Sequence, residues 1–181
     1  MCEPFIATSI VRNGVFFRIL RDDPSPGDDK NTFSCRRIGM LGEFRPIVEG
    51  RMISRGIDRF GTGQPGASRG HRSHKGIDVI ASPMQKIFSP IDGDVVREAF
   101  PYKDDPKMRG ILIRGTGEYA AWEVKLFYVV GLFNGMVQAG GLVGHAQSLL
   151  SKYPGITNHV HMEVFRNHIQ VDPRGPFRRC F

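Results

Sequence analysis

The residue types that suit metal chemistry fall in two short stretches of this sequence. His159 and His161 stand two apart in "ITNHVHMEV" (156–164), a run that is otherwise mostly β-branched or apolar. Side chains in a strand alternate between faces, so His159, His161, Glu163 and Phe165 share one face and Val160, Met162 and Val164 the other. The two imidazoles then project together from Cα atoms about 7 Å apart. Taken alone, the pair reads either as a metal site or as two solvated histidines on a wet face. A second stretch, "HRSHKGIDV" (71–79), sets His74 four residues before Asp78. Gly76 and the β-branched Ile77, Val79 and Ile80 disfavour a helix, so a loop at Gly76 running into a strand is expected to bend His74 back toward Asp78. Two histidines and one carboxylate with a vacant fourth position form the donor set of a catalytic-type zinc site. The other reading of Asp78 is an Asx turn or a strand-edge charge.

The elements that must position these groups are short. "IDVIA", "KIFSP", "GDVVREAF", "GILIRG", "WEVKLFYVV", "GLVGH" and "HVHMEVF" are apolar runs bounded by Gly, Pro, Asn or Asp. That pattern, with 22 glycines and 12 prolines, predicts an all-β, mostly antiparallel domain. Asn13-Gly14 and Asp92-Gly93 each lie between strand-like runs and read as hairpin turns. "RDDPSPGDDKN" (21–31) reads as a polar loop, and "AQSLLSKY" as a helical turn or two. The chain divides on these grounds into an N-terminal extension (1–50), a β domain (51–175) and a basic tail (176–181).

A formal charge of +7 on 181 residues favours anionic partners, such as an acidic surface on another macromolecule. The arginines are scattered, with doublets only in "SCRRIG" and "FRRCF", and no basic helix or zinc finger accompanies them. Nucleic-acid binding is therefore not expected. No apolar run reaches the length of a membrane span. Three cysteines, Cys2, Cys35 and Cys180, give no disulfide framework and no cysteine metal site. With no basic-then-apolar leader at the start, an intracellular, reducing compartment is expected; secretion would follow if the true start lies upstream.

Together, "DRFGTGQ", "HKGIDV", "IFSPIDGDVV", "PYK", "KLFYV" and "YPGITNHVHME" resemble the lysostaphin-type zinc endopeptidases, with their HxxxD and distant HxH motifs. Within that group they resemble most the leukocyte cell-derived chemotaxins. The resemblance spans about residues 56–165. It implies that His74, Asp78 and His161 are zinc ligands and that His159 stands at the family's general acid/base position. Active members use a second histidine, in a Tyr-x-His-Leu strand; here Tyr128 of "KLFYVV" stands in its place. A phenol is neutral at pH 7 and a poor proton shuttle. His145 in "GLVGHAQ" reads as a loop histidine rather than a replacement. The chemotaxins are also disulfide-bonded, and Thr62 and Ala81 occupy such positions here.

The resulting expectation is a zinc-binding, catalytically silent protein that acts by binding other macromolecules. Two alternatives follow: an active zinc endopeptidase, and a structural component of a larger intracellular assembly without zinc. Glu163 is a candidate for orienting a ligand histidine, its alternative being an exposed carboxylate. Trp122, Phe127 and Phe165 are expected in the core or the groove wall.

Overall fold

A computed structural model of the chain describes residues 43–181 and two short N-terminal strands. Those strands, β1 (Val11–Arg12) and β2 (Val15–Phe16), pair antiparallel in a unit of their own, Met1–Ile38. Asn13-Gly14 separates them, where the hairpin is expected. The polar stretch 21–31, Cys2 and Cys35 lie outside the described residues.

The second unit carries β3 (Ile57–Asp58), β4 (Gly61–Thr62), β5 (Ile77–Ile80), β6 (Lys86–Phe88), β7 (Gly93–Ala99) and β8 (Gly110–Gly115). After a 3-10 turn at Gly117–Tyr119 come β9 (Trp122–Phe127), β10 (Val129–Gly131), β11 (Gly135–Val137), β12 (Leu142–Ala146), β13 (His159–Arg166) and β14 (Ile169–Val171). All pairings are antiparallel, so the fold is all-β as expected. A seven-stranded sheet runs β11-β7-β8-β9-β13-β14, with β5 also on β13. A three-stranded sheet runs β10-β12-β6.

The centre of the large sheet is β13. One side pairs along β9, from His161↔Phe127 to Arg166↔Trp122. Its other side is shared, β5 pairing with His159–Met162 and β14 with Val164–Arg166. Val160, Met162 and Val164 are fully buried and pack with Ile77, Val79, Ile111, Ile113, Val124 and Leu126. This is the apolar face that the alternation predicts, and it leaves His159, His161 and Glu163 on the opposite one.

Three expectations need correction. Asp92-Gly93 is not a hairpin turn: β6 pairs with β12 while β7 pairs with β8 and β11, so the dipeptide marks a change of sheet. There Asp92 Oδ1 accepts the amide of Ala139 at 2.7 Å. Residues 43–50 belong to the β domain rather than to an N-terminal extension, because Phe44, Ile47 and Val48 are core residues and Phe88 N–H donates to Ile47 O at 2.9 Å. Nor is 176–181 a tail: Phe177 and Cys180 are buried, and Met52 N–H donates to Cys180 O at 2.7 Å. Phe44 meets Tyr119, Trp122 and Phe177 edge-on at centroid distances of 5.0–5.8 Å, the packing aromatic quadrupoles prefer. The "AQSLLSKY" stretch makes a single turn, closed by Tyr153 N–H to Leu149 O at 2.8 Å. No helix among the described residues is long and apolar enough to cross a membrane.

Candidate metal centre and its groove

Register alone brings two of the expected ligands together. His161 is the cross-strand partner of Asp78, and opposite residues of an antiparallel pair point to the same face. His161 Nδ1 lies 2.9 Å from Asp78 Oδ1. The third arrives from the glycine-rich loop, which is non-helical as expected. There His74 N–H donates to Ala67 O at 2.7 Å and Gly66 N–H to His74 O at 2.8 Å, clamping the backbone on both sides. The imidazole turns back so that Nε2 is 3.1 Å from Asp78 Oδ1 and 2.9 Å from His161 Nδ1.

These three atoms meet the requirements of a metal site. His74 Nδ1 faces the carbonyl of Gln64 at 2.8 Å, an acceptor, so it carries the ring proton and leaves Nε2 a lone pair. His161 Nε2 lies 3.4 Å from Glu163 Oε1, which likewise leaves Nδ1 a lone pair. Two imidazole nitrogens and a carboxylate oxygen within 3.1 Å of one another are held together by a shared proton in the metal-free chain, or by a cation in its place. A tetrahedral zinc with nitrogen bonds of about 2.0–2.1 Å has edges of roughly 3.3 Å, near this spacing. The donor set fits the group, and His74, Asp78 and His161 can hold a metal ion. Glu163 thus takes the orienting position proposed for it, and Gln64 does the same for His74.

Asp78 is 2% exposed. Burial pushes its carboxyl pKa up, but hydrogen bonds with His161 and His74 and the nearby imidazole charges outweigh this and hold it far below the usual carboxylate range. Burial alone would lower the pKa of His161, yet Asp78 and Glu163 raise it. His159 is buried at the groove floor, with Nδ1 bonded to Thr157 O at 2.7 Å and Nε2 3.6 Å from Asp78 Oδ2. Burial lowers its pKa despite the carboxylate beside it.

Phe127 and Tyr128 are consecutive, yet both line the groove. A left-handed backbone at Tyr128 (φ 65°) breaks the alternation between β9 and β10. It is held by Tyr128 N–H to Arg109 O at 2.6 Å and Gln147 N–H to Tyr128 O at 2.8 Å. Phe127 stacks on His161 at 5.8 Å, and Tyr128 meets His159 edge-on at 5.6 Å. The Tyr128 hydroxyl is 2.6 Å from that of Tyr102, which is 2.6 Å from that of Tyr153. Burial pushes the Tyr128 phenol up to about 12, against the opposing effect of the Tyr102 hydrogen bond.

The groove above these groups encloses about 380 Å³. Its wall includes Phe60, Tyr102 and Tyr153 as well as Arg69, Arg72 and Lys75. His145 lies in β12 rather than a loop and does not line it. Trp122 packs against the core, while Phe165 is half-buried beneath the Lys125 ammonium, 4.4 Å from the ring centre. The sequence reading missed Arg55, a 2%-exposed guanidinium that donates from Nε and Nη2 to Asp78 Oδ2 at 3.1 and 2.9 Å. It also missed Tyr102 and Tyr153, though both lie in stretches that carry the resemblance.

No family model matches the chain. A solved structure from Pseudomonas aeruginosa, described as a peptidase M23, is 17% identical, with a TM-score of 0.51 over 77% of this chain and 52% of its own. This chain therefore spans about half of that protein. The SpoIIQ–SpoIIIAH pore-forming complex contains a chain 15% identical, with a TM-score of 0.52 over 77% of this chain and 92% of its own. These likenesses show the fold. Leukocyte cell-derived chemotaxin-2 of Mus musculus is 34% identical over 60% of this chain and 71% of its own length. That of Bos taurus is 32% identical over 68% and 82%. With its HxxxD and HxH residues gathered at one site and this identity over most of the relatives' length, the chain belongs to the leukocyte cell-derived chemotaxin-2 family.

Proposed function

We propose that the chain holds one zinc ion through His74, Asp78 and His161 and acts without turnover, by binding another macromolecule at the groove. The observation that carries the silent reading is Tyr128. Its hydroxyl is tied to Tyr102 at 2.6 Å and its pKa is pushed up to about 12, so at neutral pH it cannot pass a proton on and off. Zinc bound here would supply Lewis acidity and a lowered water pKa. Of the protein groups expected to move protons, His159 is the one that remains, with Nδ1 2.7 Å from Thr157 O. What remains is a groove whose aromatic wall and Arg69, Arg72 and Lys75 suit an acidic segment of a partner.

The test is the zinc content of protein purified without added metal, beside His161→Ala and Asp78→Ala. About one tightly held zinc per chain, lost in both variants and accompanied by no cleavage of Gly- or Ala-rich peptides, is expected. A second reading, an active zinc endopeptidase, is favoured by the placement of His159 beside Asp78. Metal-dependent cleavage that disappears in His159→Ala would establish it and overturn the first.

A further inference from the structure

Arg55 is among the largest fully buried side chains of the described residues, and nothing in the metal reading uses it. Burying a guanidinium is costly unless every donor is met and its charge is paired. Here Nε and Nη2 both donate to one atom, Asp78 Oδ2, at 3.1 and 2.9 Å. Nη1 donates to Gly61 O at 2.9 Å and pairs with Asp58 Oδ2 at 2.7 Å. Arg69 stands further out, with Nη2 3.8 Å from Asp78 Oδ2 and bonded to Thr62 O at 2.6 Å.

The consequence is an asymmetry between the two oxygens of one carboxylate. Oδ2 receives two N–H bonds from Arg55 and lies 3.6 Å from His159 Nε2, while Oδ1 is the oxygen that meets His74 Nε2 and His161 Nδ1 at 3.1 and 2.9 Å. A free carboxylate rotates and can bind a metal through either or both oxygens. We infer that Arg55 is a positioning residue for the metal centre: its fork fixes Asp78 so that Oδ1 alone is presented. Through Gly61 O it also ties the carboxylate to β4, just before Gln64, the residue that orients His74. One guanidinium thereby braces two of the three ligands. Lysine keeps the charge but not the fork, so charge and geometry are separable at this position.

This inference rests on the zinc reading, and the test separates the two. Zinc affinity is measured by chelator competition in wild type, Arg55→Lys and Arg55→Gln, together with the visible spectrum of the cobalt(II)-substituted proteins. Folding is checked by circular dichroism. Removal of an outer-shell partner typically weakens metal binding about 10–100-fold, and that loss is expected in both variants. The intense four-coordinate cobalt bands should weaken in Arg55→Lys as Asp78 turns to bidentate binding, a change that lost stability alone would not produce. Unchanged affinity and spectrum in folded Arg55→Lys would overturn the inference and leave the zinc reading standing. Wild type that takes up no zinc would overturn both. Should neither variant fold, the Arg55 Nε–H proton of zinc-loaded wild type decides by NMR. A resonance protected from solvent exchange supports the fork, and one that exchanges freely overturns it.

Discussion

Asp78 and His161 face each other as a registered cross-strand pair of β5 and β13, Oδ1 2.9 Å from Nδ1. A one-residue slip in this pairing would turn His161 into the core and Met162 into the groove. The close approach of the strands beside this pair is thus a condition for the site.

Gly76 permits that approach, since a methyl carbon there would overlap the Met162 carbonyl and come within 2.9 Å of His161 Nε2. Gly76→Ala should cost about 1–3 kcal/mol and lower zinc retention at the same time. Urea unfolding and zinc content measured on one sample check this. Wild-type values for both would show that the strands do not meet as described.

The phenol chain predicts an order of stabilities. Tyr102 is the central member, bonded to both Tyr128 and Tyr153 at 2.6 Å. Tyr102→Phe removes both bonds and should cost about 1–3 kcal/mol, Tyr153→Phe about 1 kcal/mol. Denaturant midpoints reversing that order would contradict the central role of Tyr102.

His159 gives a pH dependence. Its pKa is lowered in the fold by burial, so the unfolded chain takes up a proton near pH 6.5 while the folded chain stays neutral. Folding stability from this group is therefore lost as pH falls below about 6.5 toward the lowered value. In metal-free protein, His159→Gln should gain stability relative to wild type between pH 7.5 and 5.5. A difference that is flat, or that moves the other way, would mean the imidazole is solvated.

The C-terminal segment should behave as core. Phe177 is fully buried against Phe44, 5.0 Å between ring centres, while its neighbour Arg178 is exposed. Phe177→Ala should cost about 3–5 kcal/mol and Arg178→Ala within about 0.5 kcal/mol of nothing. Equal, small effects would return the segment to the status of a tail.

The site was legible where one local rule decided it. Alternation in "HVHMEV" separated the two histidines from Val160 and Met162, and Gly76 followed by β-branched residues marked the loop-to-strand passage that returns His74 to Asp78. What escaped depends on contacts distant in sequence. Arg55 in "SRGID" looks like any surface arginine until 23 residues of chain fold back and place Asp78 against it. "FRRCF" looked like a basic tail because its arginines dominate the composition, whereas Phe177 and Cys180, three apart, face inward together. Asp92-Gly93 carried a turn signal that was correct locally, but which sheet each flanking strand joins is settled by partners elsewhere.

His74 and Asp78 lie 87 and 83 residues before His161. A cation shared among them would act as a removable staple, closing a loop that spans nearly half the chain. A covalent link across about 83 residues would restrict the unfolded ensemble by about 4.5 kcal/mol on chain-entropy grounds. Cys180, the cysteine among the described residues, is a free thiol, so no bridge there performs that task. The folded lifetime of the described domain would then follow the availability of a metal, and a chelator would shorten it.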